Sequence, residues 1–134
     1  MKNVKITLST IRFAEGESES ETFTYDGRYD IKNGAHYLTY SELSDGVKIN
    51  TVVKAAVDSV LITRTGGAGS RMKIEAGATH KTDYATPYGV FTLFVKGLSV
   101  NNNIQNGTLE CEYSLYTAQG EISRNKIELK IKEV

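Results

Sequence analysis

Val47-Lys48-Ile49-Asn50-Thr51-Val52-Val53-Lys54-Ala55-Ala56-Val57 is followed by Asp58-Ser59 and then by Val60-Leu61-Ile62-Thr63-Arg64. From Val47 to Val57 nearly every second residue is apolar, the period of a β-strand with one buried face. Asp58-Ser59 interrupts the pattern and a second β-branched run follows. The segment predicts two antiparallel strands joined by a tight turn. Similar alternation on both sides predicts that this hairpin lies in the middle of an up-and-down sheet.

Upstream, residues 2–12 put Val4, Ile6 and Leu8 on one face and Lys5, Thr7 and Ser9 on the other. The acidic, serine-rich residues 15–21 read as a solvated loop or a frayed hairpin end. A second strand is expected around Phe23 and Tyr25, with Asp26-Gly27 as a bulge or turn inside it. Asn33-Gly34 is a two-residue hairpin turn, because both residues tolerate positive φ. Residues 35–43 form a third strand whose inward face is either Tyr37 with Thr39 or Leu38 with Tyr40.

Downstream, Thr65-Gly66-Gly67-Ala68-Gly69-Ser70 could cradle phosphate only if a helix N-terminus followed. The strand-like Arg71-Met72-Lys73-Ile74-Glu75 follows instead, so a hairpin turn is expected. Thr86-Pro87-Tyr88-Gly89 is another turn. Phe91, Leu93 and Val95 share a face, residues 101–107 form a polar turn, and two half-buried strands follow. Their apolar faces are Leu109, Cys111, Tyr113 and Leu115, then Ile127, Leu129 and Ile131. About nine or ten strands with short connections and no sustained helical period predict an all-β antiparallel meander, closed into a barrel that protects its edges.

The totals bound this reading. A chain of 134 residues fits one domain and buries a core without disulfides. Its 16 basic and 16 acidic residues balance, which argues against a dedicated nucleic-acid binder. The single cysteine, Cys111, suits a reducing compartment. No apolar run approaches the roughly 18 residues of a membrane helix. The alternating N-terminus reads as a strand, not a signal peptide. A soluble, cytoplasmic protein without membrane contact is the expectation.

A family resemblance rests on order and spacing. Tyr37-Leu38-Thr39-Tyr40-Ser41-Glu42 is followed by a strand ending in Arg64 with Gly66 two residues on. Then come Gly77, Tyr84 before Thr86-Pro87-Tyr88-Gly89, and Gly107 before Leu109 and Tyr113. This pattern resembles the YwiB-like family, small bacterial proteins grouped as a domain of unknown function, from about Val4 to the C-terminus. The resemblance implies a calycin-like barrel, akin to lipocalins and fatty-acid-binding proteins, and no established activity. The Gly-x-Trp of lipocalins is absent, as is the Arg-x-Tyr clamp of fatty-acid-binding proteins.

Among individual residues, Arg64 shares parity with Val60 and Ile62, which puts its guanidinium inside the barrel or at its mouth if that face is inward. A buried charge needs a partner, and Glu42 is the acid nominated. The pair is either a structural ion pair or a bidentate site for a carboxylate or phosphate. Tyr40, Tyr84 and Tyr113 are polar-tipped aromatics that either line a pocket or pack in the core. His36 and His80 show no metal-ligand spacing, and Cys111 is most simply a core residue. No catalytic constellation and no cofactor or metal motif emerges. Three functions follow as expectations: a barrel holding a small, partly apolar, anionic ligand; a packed scaffold barrel that binds protein; and, against the charge balance, an RNA-associated module. Either a monomer or a homodimer is compatible.

Overall fold

A computed structural model describes residues 2–66 and 69–134, with Ala85 and Thr86 described by backbone alone. Met1, Gly67 and Ala68 lie outside the described residues, and with them the centre of the glycine-rich turn expected above. Ten strands follow in chain order: β1 (Lys2–Ala14), β2 (Glu17–Lys32), β3 (Ala35–Ser44), β4 (Val47–Ala55), β5 (Ser59–Thr65), β6 (Ser70–Glu75), β7 (Thr79–Thr86), β8 (Gly89–Asn103), β9 (Thr108–Thr117) and β10 (Gly120–Glu133). All pairings are antiparallel, in the order β6-β5-β4-β3-β2-β1-β10-β9-β8-β7. The expected all-β up-and-down barrel is the observed fold, and it is nearly closed.

The first and last strands pair along ten residues, from Val4↔Glu133 to Phe13↔Arg124. They therefore form the middle of the sheet, and the two edges are the consecutive strands β6 and β7. The β4–β5 hairpin is not central, as the sequence suggested, but lies one strand from the β6 edge. Alternation reports a buried face and carries no information on a strand's distance from an edge.

The edges meet through a close backbone approach. The β8 strand bulges between Gly97 and Ser99. Gly97 donates its N–H to the Ala78 carbonyl at 2.9 Å and accepts from Gly77 N–H at 3.1 Å. A Cβ on Gly97 would overlap the Glu75 carbonyl, so the end of β6 reaches β8 only because residue 97 has no side chain. Further along, two β7 side chains span the gap to β6. His80 Nε2 lies 2.7 Å from Glu75 Oε1, and Thr82 Oγ1 donates to the Arg71 carbonyl.

Several local expectations are corrected. Of the two readings of the acidic residues 15–21, the hairpin end holds and the loop does not: only Glu15-Gly16 turns, with φ of 53° and 76°. From Glu17 on the chain pairs with β1, Glu17 opposite Ala14, because cross-strand hydrogen bonds do not require apolar side chains. Asp26-Gly27 is neither bulge nor turn; Gly27 pairs regularly with Val4 and Tyr40. A Cβ there would lie 2.5 Å from Ile6 Cδ1, so the glycine makes room for a core residue. The third strand turns Leu38 and Tyr40 inward. The β4–β5 connection spans residues 56–58, closed by an Ala56 N–H to Ser59 carbonyl bond of 2.9 Å, rather than turning at Asp58-Ser59 alone.

One more correction concerns residues 101–107. Strand β8 continues to Asn103, and a single 3-10 turn follows, Ile104–Asn106. Ile104 is only 2% exposed and packs with Ile6, Leu38, Val53 and Leu109. Asn102 Nδ2 donates to the Ala56 carbonyl at 2.7 Å. This turn floors one end of the barrel.

Two glycine substitutions separate crowding from strain. Gly97→Ala is expected to cost about 2 kcal/mol or more in urea unfolding, as forced overpacking does. Gly16→Ala, with nothing within 4 Å, is expected to cost about 1 kcal/mol for its left-handed backbone. Equal costs would contradict the closure described here.

Candidate functional site

Cross-strand register fixes which side chains face inward, because directly opposed residues share a face. Ile6 opposes Tyr25, Tyr40 opposes Thr51, and Thr51 opposes Arg64. Glu42 shares the inward parity of Tyr40. The meander puts the β1–β2, β3–β4, β5–β6, β7–β8 and β9–β10 connections at the end opposite the Ile104 floor.

Burial grades between these ends. Near the floor the inward residues Ile6, Leu38, Ala55, Ile74 and Val95 are all 0% exposed. Toward the other end Leu8, Ile62, Met72, Leu93, Leu115 and Ile127 have inward parity but are only half-buried. At the rim, Phe23, Phe91 and Tyr84 share that parity and remain 42%, 54% and 42% exposed. The barrel is thus filled at its floor and open at its mouth, with apolar side chains reaching solvent there.

One wall of the mouth is polar. Arg64 Nη2 donates to Glu42 Oε1 at 2.7 Å, and Tyr25 donates to Glu42 Oε2 at 3.2 Å. The rings of Tyr25 and Tyr40 stack at 4.5 Å, and Phe23 continues the stack at 6.2 Å. The side chains of Arg64 and Glu42 are 43% and 25% exposed, so water screens their attraction. Burial, with the Glu42 carboxylate next in weight, pushes the Tyr25 phenol up to about 12. Burial also raises Tyr40, opposed in part by the neighbouring Thr51 hydroxyl. That approach falls short of hydrogen-bond geometry. Thr51 Oγ1 is left buried without a partner among the described residues, an arrangement that costs about 1–3 kcal/mol.

The residues singled out from the sequence separate accordingly. Arg64, Glu42 and Tyr40 come together. Tyr84 lies apart on the rim. Tyr113 packs in a second buried cluster with Ile74, Val95 and Cys111, its phenol pushed up to about 12, chiefly by burial. Burial likewise pushes the Cys111 thiol up to about 12, so it stays protonated at neutral pH. His36 is engaged by the Tyr29 hydroxyl at 2.5 Å and His80 by Glu75. Among the described residues, no three His, Cys, Asp or Glu side chains converge as metal ligands.

Sequence reasoning missed Tyr25 and Thr51. Thr51 carried a signal: it is the polar residue at an inward position between Ile49 and Val53. Tyr25 was obscured by reading Asp26-Gly27 as a break in the strand.

These features define a ten-stranded, nearly closed up-and-down β-barrel with a filled floor and a polar wall at its open end. The chain belongs to the family described as Domain of unknown function (DUF1934), whose sequence profile matches residues 4–129. The resemblance read from motif order is therefore a family membership. The chain is 26% identical over 104 residues to the uncharacterized beta-barrel protein YwiB of Bacillus subtilis (strain 168), covering 76% of this chain and 73% of that protein. The crystal structure of the Bacillus subtilis ywiB protein superposes with a TM-score of 0.79 at 21% identity, over 96% of this chain and 91% of that one. Among the described residues, no helix is long and apolar enough to cross a membrane.

The buried tyrosines predict alkaline behaviour. An unfolded tyrosine ionises near pH ~10, whereas Tyr25 and Tyr113 hold their protons to about 12. Because the folded value is the higher, their stabilisation is complete below pH ~10 and is lost as pH rises toward ~12. A tyrosinate absorbance titration should show exposed phenols ionising first and the last ones together with loss of the β circular-dichroism signal. Simultaneous ionisation of all eight tyrosines in a folded protein would contradict their burial.

Proposed function

We propose that this barrel binds a small, partly apolar ligand with an anionic group, taken in through the open mouth, and that it does so without catalysis. The observation that carries this reading is the polar wall of Tyr25, Tyr40, Glu42, Thr51 and Arg64, which faces the half-buried apolar residues of the mouth; the other inward polar pair, Asn125 and Ser123 on β10, is buried and satisfies itself with a hydrogen bond of 3.0 Å. Arg64 commits Nη2 to Glu42. A guanidinium has five donors in a planar fork suited to carboxylate or phosphate, so further N–H groups serve a ligand anion. The half-buried aliphatic positions below the rim, and the exposed Phe23, Phe91 and Tyr84 on it, supply apolar surface for the rest of the molecule.

The family's implied likeness to calycins agrees with this reading by analogy. The protonated, buried Cys111 and the Tyr25 phenol, held protonated beside Glu42, support binding rather than chemistry. Cys111 as a lone thiol also supports a reducing, cytoplasmic setting.

The packed-scaffold alternative has its own support in the filled floor, where Ile6, Leu38, Ala55, Ile74 and Val95 leave no exposed surface. The two readings part at Arg64. Native mass spectrometry of the protein from expressing cells should show excess mass that is released on denaturation. Arg64→Ala should lose that mass while changing unfolding free energy by less than about 1 kcal/mol, as expected for a wet ion pair. A wild-type protein carrying no excess mass, or retention unchanged in the variant, would favour the scaffold.

A further inference from the structure

The zero net charge conceals a strong separation of charge between two opposite flanks of the barrel. Glu15, Glu17, Glu19 and Glu21 sit on the β1–β2 hairpin, with Glu121 beside them. On the opposite flank a groove of about 490 Å³ runs along the β6–β7 seam, lined among others by Lys54, Leu61, Arg71, Lys73, His80 and Lys81. Register shows how the cations gather. Lys54 opposes Leu61, and Leu61 opposes Lys73, so two lysines flank one leucine in a single outward row. They lie two strand spacings apart, roughly 10 Å. Arg71 is on the same face of β6, two residues or about 7 Å from Lys73. Lys81 approaches from β7, across the seam.

These cations lack the counter-charges found elsewhere. Lys2, Lys5, Lys32 and Lys130 pair with Glu133, Asp26, Asp30 and Glu128. Among the described residues, Lys54, Arg71, Lys73 and Lys81 form no such ion pair. The nearby carboxylate, Glu75, is committed to His80, whose hydrogen bond is the leading cause of its lowered pKa, with Lys73 a smaller one. Asp83 accepts from Thr92. Lys54 lies 5.8 Å over the Tyr37 ring, which orients it without neutralising it. Like charges held this close destabilise the empty protein, and an anion relieves that repulsion.

We propose that this groove is a second binding site, separate from the mouth, for a small molecule bearing several phosphate groups. The spacing of the cations, roughly 7–10 Å by strand geometry, suits several anionic groups on one ligand rather than a single carboxylate. The volume falls within the range of about 300–1,000 Å³ usual for small-ligand sites. A ligand held by Arg71 and Lys73 on β6 and by Lys81 on β7 ties together two strands that the sheet ladder leaves unpaired. Binding therefore raises thermal stability as well as occupying the groove.

Inorganic tripolyphosphate is the probe, followed by calorimetric titration and thermal unfolding at low salt. Wild type should bind it and melt at higher temperature in its presence. Lys54→Gln/Lys73→Gln should weaken binding by about tenfold, a loss of about 1.4 kcal/mol. Lys5→Gln/Lys130→Gln removes the same charge from paired surface sites and should change binding less than about twofold. Equal losses in the two double variants would reduce the effect to net charge and overturn the proposal. So would absence of binding to folded wild type. A uridine decamer that binds this face and is not displaced by tripolyphosphate would also overturn it, assigning the face to RNA.

Discussion

Closure of this barrel depends on the backbone approach of Gly97 to Glu75. Ten strands in a meander leave two edges, and exposed edges invite pairing with other chains. Here the edges are short β6 and β7. The β6–β7 turn is stitched to the β8 bulge by the paired bonds of Gly97 with Gly77 and Ala78. Any side chain at residue 97 would hold the two apart. Along the rest of the seam no backbone ladder joins β6 to β7, and His80 and Thr82 span the gap.

Closure gives the chain an inside and an outside, and each acquires its own chemistry. Inside, a floor of aliphatic side chains capped by Ile104 forces any polar group toward the mouth, where Arg64, Glu42 and Tyr25 keep contact with water. Thr51, one step deeper, is the polar group that pays for its position with an unmet hydrogen bond. Outside, the unpaired β6–β7 seam collects cations from three strands. The two candidate sites face opposite sides of one wall: on β5, Leu61 lines the groove, whereas Arg64, of opposite parity, lines the mouth.

Much of this was legible in the sequence because strand alternation is a direct consequence of burial. The inward sets of β1, β8, β9 and β10 follow from their apolar residues alone. Parity also brought Arg64 to Glu42. Where alternation is silent, the reading failed. Residues 17–21 carry no apolar signal, yet pair with β1 because the Glu15-Gly16 turn fixes the register. Gly27 looked like punctuation, whereas it is the space into which Ile6 fits. Ile104 looked like part of a polar turn because one buried residue has no period. Neutral net charge hid the basic groove, since a sum cannot show where charges lie. Tyr84 and Tyr113 were indistinguishable by type, and only the tertiary fold put one on the rim and the other among Ile74, Val95 and Cys111.

The most direct test of the account is amide hydrogen exchange at Gly77 and Gly97, the donors that close the seam. In a closed barrel both amides are protected to a level comparable with the central β1–β10 ladder, because they open only with the fold as a whole. Exchange of both at rates typical of unstructured chain, with β1 and β10 still protected, would show an open sheet rather than a barrel, and would remove the enclosed mouth and the bridged seam together.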